Sequence, residues 1–159
     1  MVKVLFVCTG NICRSPTAHG VFRAFVREAG LEDRIHTDSA GTSGYHVGEP
    51  PDRRSRELAR QRGYDLSDLR ARRVTVGDFR EFGHILAMDR GHLDALLRMA
   101  PPDSTADVRL FLDYAPDWPV REVPDPYYGG ALGFVEVLEM VEAASRGLLE
   151  AIRQSGGVR

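Results

Sequence analysis

Short apolar runs alternate along the chain with segments whose apolar residues recur at helical spacing. The first run, residues 2–7, is nearly continuous and rich in β-branched residues, which is typical of a strand buried on both faces of a parallel sheet. The alternation predicts strands at 2–7, 34–39, 84–88 and 108–112 and helices at 16–29, 53–62, 90–99 and 134–152. We therefore expect a single α/β domain over residues 1–159, a three-layer fold in which a four-stranded parallel sheet is flanked by helices on both faces.

Composition and charge narrow the class of protein. The 159 residues are 43% apolar and 28% charged with a net charge of -2, so nothing global favours binding to nucleic acid or to an anionic membrane. The arginines clustered at 53–62 and 70–73 are therefore interpreted as solvated surface. The apolar N-terminal run is too short for a signal peptide or a membrane span. Because the chain has only two cysteines, close together in sequence, we expect no disulfide scaffold and a cytoplasmic location.

The segment from Cys8 to Ser15 connects the first predicted strand to the first predicted helix. Ligands of open α/β sheets bind beyond the carboxyl ends of the strands, where a helix N-terminus offers unpaired backbone N–H groups and the positive end of the helix dipole. Gly10 permits a positive φ, and Asn11 tolerates one better than most residues. The segment is therefore predicted to form a nest for a tetrahedral oxyanion such as phosphate.

Cys8 opens this loop and Arg14 closes it. The N–H groups, the dipole and Arg14 would stabilise a Cys8 thiolate, which would then be a nucleophile aimed at phosphorus. The planar guanidinium of Arg14 can hold two phosphate oxygens, and the Ser15 hydroxyl can donate to the thiolate when it leaves. An inert buried cysteine is one alternative, and a zinc site made by Cys8, Cys13 and His19 would lack a complete set of ligands. We therefore expect neither a metal nor a cofactor.

A long loop at residues 115–128 contains four prolines and two tyrosines. Asp125 lies between Pro124 and Pro126, which stiffen its backbone. The leaving group of a phosphoester needs a proton as its bond to phosphorus breaks, and a carboxylic acid on such a loop can supply it. Asp125 is therefore a candidate general acid, and the alternative for an aspartate on a loop is a turn or cap residue.

The segment at 8–16, with the sequence CTGNICRSP, closely resembles the signature loop of the low-molecular-weight protein tyrosine phosphatases. The resemblance covers nearly the whole chain and includes segments 38–42, 45–48, 88–89 and 123–128. It implies the same four-stranded fold, a phosphotyrosine-containing protein as substrate and a cognate tyrosine kinase as opposing partner. It also implies a phosphocysteine intermediate on Cys8, with Arg14 holding the phosphoryl group and Asp125 protonating the leaving group and then activating water.

The same resemblance implies roles for the residues around Cys8. Asn11 and Ser39 would hydrogen-bond to hold the loop in its strained shape, and Cys13 would form a reversible disulfide with Cys8 that protects the nucleophile from oxidation. Leu69 departs from the family, because some members carry a histidine there, so no function of that histidine transfers to this chain. The residues implied to bind phosphate or to line the substrate pocket are Thr9, Gly10, Asn11, Ile12, Cys13, Ser15, Tyr45, Tyr127 and Tyr128.

Three other functions stay open alongside this one. Arsenate reductases resemble the loop but relay a disulfide through further cysteines downstream, and this chain has none after Cys13. Arginine phosphatases carry threonine in place of Ile12, whose apolar side chain suits an aromatic ring better than a polar phosphoguanidinium. A non-catalytic phosphate-binding module would not need Cys8 and Asp125 together. We therefore predict a protein tyrosine phosphatase with no nucleic-acid or membrane partner.

Overall fold

Strands and helices alternate along the chain in the computed structural model, which describes residues 1–126 and 130–156. The strands are β1 (Val2–Cys8), β2 (Ile35–Gly41), β3 (His84–Ala87) and β4 (Asp107–Leu110). The α-helices are α1 (Arg14–Glu28), α2 (Arg53–Gln61), α3 (Asp78–Glu81), α4 (Arg90–Met99) and α5 (Gly130–Gln154), and a short 3-10 helix spans Phe111–Tyr114. Within the described residues, no helix has the length and apolar character needed to cross a bilayer.

The four strands form one parallel sheet in the order β2-β1-β3-β4. The chain goes outward from β1 to β2 and then returns past β1 to form β3, so the direction of strand order reverses between β1 and β3. In open α/β sheets the crevice at the carboxyl ends of the strands flanking such a switch point is the usual ligand site. The segments that follow β1 and β3 both begin at this crevice.

Two apolar clusters cover the two faces of the sheet. One cluster joins β1 and β3 to α1 and α5, and at its centre the ring of Phe6 meets those of Phe22 and Phe111 at centroid distances of 5.7 and 4.9 Å. The other cluster joins the opposite face to α3 and α4 and contains Leu5 and Ile85. Because successive side chains of a strand point to opposite faces, β1 contributes to both clusters and is buried on both sides.

The predicted fold class is confirmed, since a four-stranded parallel sheet lies between two layers of helices. Helix α4 matches its predicted bounds. Strand β2 extends further than predicted, to Gly41, because its polar end still pairs in register with the last residues of β1. The predicted fourth strand ends early, at Leu110, because the chain there turns into the 3-10 helix. Four residues carry too little periodicity for the sequence to predict α3.

Candidate active site

A tight loop joins the carboxyl end of β1 to α1. Asn11 adopts the left-handed conformation with a φ of 57°, whereas Gly10 does not use the positive φ that glycine permits. A Cβ added at position 10 would lie 2.9 Å from the ring of His46, so that ring would have to move. Within the part of the chain that the structure describes, the backbone N–H groups of residues 10–15 donate to no main-chain oxygen. This concentration of unused donors at a helix N-terminus suits an anion.

Segments distant in sequence hold the loop in this shape. The carbonyls of residues 8 and 9 each accept a hydrogen bond of 2.9 Å from the segment after β2, and the Ile12 carbonyl accepts one of 2.7 Å from the N–H of Asp52. The Asn11 side chain is bonded at both ends, since its Oδ1 accepts from the Arg72 N–H at 3.0 Å and its Nδ2 donates to Ser15 Oγ at 2.8 Å. Asn11 therefore supports the loop from behind.

Cys8 is buried at the start of the loop, and its Sγ lies 2.9 Å from Ser15 Oγ. The Asn11 amide donates a hydrogen bond to Ser15 Oγ, so the proton of the Ser15 hydroxyl must point toward a different atom that can accept it. The carbonyl of Ala40, at 3.5 Å, is a much poorer acceptor than the sulfur. We conclude that Ser15 donates to Cys8 and thereby stabilises a negative charge on its sulfur.

Arg14, the first residue of α1, has a side chain that is only 6% exposed. Its Nη1 donates at 3.0 Å both to Asp89 Oδ2 and to the carbonyl of Val123, and its Nη2 lies 4.0 Å from Asp125 Oδ2. The N–H of Val123 in turn donates to the carbonyl of Met88 at 2.8 Å. The segment that carries Asp125 is therefore tied both to Arg14 and to the end of β3.

A cavity of about 480 Å³ opens at this loop, within the size range of small-molecule sites. It brings together the predicted nucleophile, the predicted phosphate-binding arginine and the predicted general acid. The Asp125 side chain is 42% exposed and is therefore accessible from solvent. The residues that line the cavity are Cys8, Thr9, Gly10, Ile12, Cys13, Arg14, Ser43, Tyr45, His46 and Asp125.

The structure describes one of the three tyrosines that were predicted to line the pocket. Tyr45 lines the cavity, but it is 86% exposed and its ring packs edge-on against His46 at a centroid distance of 5.0 Å. Tyr45 therefore forms the outer rim of the cavity. Tyr127 and Tyr128, also predicted to line the pocket, lie outside the described residues.

Ser39 does not make the hydrogen bond to the loop that was expected of it. Within the described residues its Oγ bonds to His19 Nδ1 at 3.0 Å and not to the loop, so any support reaches the loop through α1, where His19 lies one turn after Ser15. Burial and the nearby Arg23 lower the pKa of His19 to about 4, so its ring is neutral at neutral pH. No group of three or more metal-ligating side chains occurs in ranges 1–126 and 130–156.

The two cysteines differ in their surroundings. Both thiols are free, and both are buried. Burial, followed by the charge of Asp52, raises the pKa of Cys13 to about 12. Cys13 is therefore a protonated, weakly nucleophilic thiol at neutral pH.

Sequence reasoning does not identify Asp89 and His92 as site residues. Asp89 lies two residues after the end of β3, at the carboxyl edge of the sheet where ligands bind. Nothing in the sequence around His92 indicates its partner, Thr9, whose Oγ1 lies 2.7 Å from His92 Nε2. Burial and the charge of Arg14 lower the pKa of His92 to about 4. Burial opposes ionisation of Asp89, yet the His92 N–H and the neighbouring charges lower its pKa overall. Ser43 and His46 are further lining residues that the sequence does not reveal.

Known proteins are similar to this chain in sequence and in fold. The family model described as low molecular weight phosphotyrosine protein phosphatase matches residues 3–157. A low molecular weight protein-tyrosine-phosphatase of Streptomyces coelicolor is 51% identical over 155 residues, which are 96% of this chain and 94% of the relative. The crystal structure of a protein tyrosine phosphatase from Entamoeba histolytica superposes with a TM-score of 0.92 at 37% identity, covering 99% of this chain and 100% of that one. A Drosophila arginine phosphatase superposes with a TM-score of 0.89 at 32% identity, covering 94% and 97% of the two chains.

Proposed function

This chain belongs to the low molecular weight phosphotyrosine protein phosphatase family and is a protein-tyrosine-phosphatase, and we propose that Cys8, Arg14 and Asp125 carry out its reaction. One observation carries this assignment of roles. The sulfur of Cys8 lies 2.9 Å from Ser15 Oγ in a loop of unused N–H donors, and it shares one cavity with Arg14 and Asp125.

The first step transfers the phosphoryl group to sulfur. The Cys8 thiolate attacks phosphorus while the bond between phosphorus and the phenolic oxygen breaks, and Asp125 gives its proton to that oxygen. The backbone N–H groups of residues 10–15 and the guanidinium of Arg14 stabilise the charge on the phosphoryl oxygens. Because Asp89 and Val123 already hold Arg14 in place, the guanidinium needs little rearrangement when substrate binds.

The second step returns the enzyme to its starting state. Water attacks the phosphorus of phosphocysteine, and the Asp125 carboxylate, left by the first step, takes a proton from that water. The bond between phosphorus and sulfur breaks, so Cys8 leaves as a thiolate and inorganic phosphate is released. The Ser15 hydroxyl, 2.9 Å from the sulfur, stabilises the departing thiolate.

A trapping experiment tests the assignment of Cys8. Enzyme mixed with ³²P-labelled phosphotyrosine peptide and quenched in denaturant during turnover should carry label on the peptide fragment that contains Cys8. Cys8→Ser should give no label and no turnover while still binding inorganic phosphate. Cys13→Ser is the matched control, because it also removes a buried thiol of the loop, and it should still be labelled. Label that survives in Cys8→Ser would remove Cys8 from its role.

Phosphoarginine is the second candidate substrate, because a structure so similar to this one is described as an arginine phosphatase. The apolar side chain of Ile12 lines the cavity and the ring of Tyr45 lies at its rim, and both favour a phenyl ring over a polar phosphoguanidinium. We expect a higher kcat/KM for a phosphotyrosine peptide than for a phosphoarginine peptide of matched sequence. The reverse order would assign the enzyme to arginine.

We propose that the residues 1–159 form one phosphatase domain whose substrates are phosphotyrosine-containing proteins made by a cognate tyrosine kinase in the cytoplasm. A single sheet with both faces covered supports one domain. The two free thiols support a reducing compartment. A pull-down with Cys8→Ser as a substrate trap, followed by identification of the phosphorylated proteins bound to it, tests the substrate class.

A further inference from the structure

His92 connects the first turn of α4 to the phosphate loop. Its side chain is 6% exposed, and its Nε2 lies 2.7 Å from Oγ1 of Thr9, the residue that follows Cys8. On the other edge of the ring, Nδ1 lies 3.1 Å from Asp89 Oδ1 but off the line of a hydrogen bond. The imidazole therefore fills the space between Thr9 and Asp89.

Asp89 extends this connection to the other end of the loop. Its Oδ1 accepts the backbone N–H of His92 at 2.9 Å, which caps α4, and its Oδ2 accepts from Arg14 Nη1 at 3.0 Å. A chain of contacts thus passes from Thr9 through His92 and Asp89 to Arg14. It joins the two flanks of the loop proposed to bind phosphate without passing through the loop itself.

The direction of the Thr9 bond follows from the charges around the ring. Arg14, Asp89, Asp125 and Glu122 are the charged groups that act on His92, and burial together with Arg14 lowers its pKa to about 4, so the ring carries one proton at neutral pH. A proton on Nδ1 faces the carboxylate of Asp89, whereas a lone pair there would be repelled by it. The proton therefore sits on Nδ1, and Nε2 accepts the hydroxyl proton of Thr9.

We propose that His92 is a positioning residue for the phosphate loop, which holds the Thr9 flank at a fixed place relative to Arg14. This inference rests on the proposed function of the loop. Thr9 is exposed at the cavity, whereas the His92 ring that it bonds to is buried and therefore held in place by its surroundings. The bond to His92 determines the position of the backbone that immediately follows Cys8. Displacement of this backbone would weaken transition-state binding more than substrate binding.

A double-mutant cycle tests whether Thr9 and His92 act as one unit. Thr9→Val removes the hydroxyl at nearly constant volume, and His92→Asn keeps a polar group near Asp89 but cannot reach Thr9. Each single change should lower kcat/KM on phenyl phosphate about tenfold, mainly through kcat, and the double mutant should also lose only about tenfold. Thr9→Ser, which keeps the hydroxyl, should restore activity to within about twofold of the parent enzyme.

His36→Asn is the matched control, because the same substitution is made at an exposed histidine on β2, remote from the loop. It should leave kcat/KM unchanged, and thermal unfolding of each variant reports on the fold. A double mutant that loses the product of the two single effects, about hundredfold, would overturn the proposal, and so would full activity of Thr9→Val. If His92→Asn fails to fold, the comparison of Thr9→Val with Thr9→Ser still shows whether activity depends on the hydroxyl that bonds to His92. An inactive parent enzyme would instead contradict the proposed function.

Discussion

Among single residues, Asp125 is the most accessible of the three proposed reacting side chains, and its contribution depends on the leaving group. Removing the acid with Asp125→Asn should slow hydrolysis of phenyl phosphate by about 10²–10⁴-fold, because the phenolate of this substrate needs a proton as it departs. A substrate such as 4-nitrophenyl phosphate, whose leaving group is stable as an anion, should be slowed far less. Steady-state kcat on the two substrates gives the comparison.

Asp103→Asn is the matched control for this substitution, because the Asp103 side chain is 73% exposed and forms a surface ion pair with Arg80. It should leave both substrates unaffected. Equal slowing of phenyl and 4-nitrophenyl phosphate by Asp125→Asn would assign Asp125 a role in binding rather than in proton transfer.

Asn11 combines a backbone requirement with a side-chain requirement. Its φ of 57° costs most residues about 1–2 kcal/mol, and its amide makes hydrogen bonds at both ends. Asn11→Gly removes only the side-chain bonds, whereas Asn11→Ala adds the backbone strain. Both should lower kcat/KM, and Asn11→Ala should be the less stable of the two by about 1 kcal/mol in urea unfolding. Equal stability of the two variants would show that the left-handed conformation is not strained.

At the scale of elements, the end of β2 forms the wall against which the phosphate loop rests. A Cβ added at Gly41 would lie 2.6 Å from the Thr9 carbonyl oxygen and 3.2 Å from the Asn11 nitrogen, so the loop would have to move. Gly41→Ala should therefore lower kcat/KM about 10²-fold, since small displacements of reacting groups are costly. Gly83→Ala is the control, because an added Cβ there has no neighbour within 4 Å. Normal turnover by Gly41→Ala would show that the loop position is not critical.

Elements with a strong local pattern are the ones that the sequence predicts well. Strand β1 is a continuous apolar run because both of its faces are buried, and α4 has an apolar stripe and an acidic cap at Asp89. The end of β2 lacks such a pattern, because Ser39 bonds to His19 of α1, Ala40 packs into an apolar cluster and Gly41 lies against the loop. Its extent follows from pairing with β1, which is a property of the tertiary structure.

Across the whole molecule, the sequence likewise predicts the candidate site well only where its residues are close together in the chain. Cys8 and Arg14 lie in one continuous motif, so their proximity is visible in the sequence. The contact of Thr9 with His92 spans 83 residues, and only the parallel pairing of β1 with β3 brings the two segments together. Such contacts depend on topology, which residue patterns do not encode locally.

Stability of the whole molecule should vary with pH through groups whose pKa differs between the folded and unfolded chain. Burial lowers the pKa of His19 and of His92 to about 4, from an ordinary value of 6.5. Between these two values the unfolded chain binds protons that the folded chain does not. The free energy of unfolding should therefore decrease as pH falls from 6.5 to about 4, by up to about 1.4 kcal/mol per pH unit for each histidine.

At alkaline pH, stability should change because the unfolded chain binds fewer protons than the folded chain. Burial raises the pKa of Cys13 from 9.0 to about 12, so above pH 9.0 the unfolded chain loses a proton that the folded chain keeps, and stability should decrease as pH rises. Urea unfolding across this pH range should then give a maximum at about pH 7–9. His19→Asn, whose amide can still bond to Ser39, should reduce the pH dependence of the free energy of unfolding only at acid pH. Cys13→Ala should reduce it only at alkaline pH. An unchanged acid slope in His19→Asn would mean that this histidine is not kept neutral by the fold.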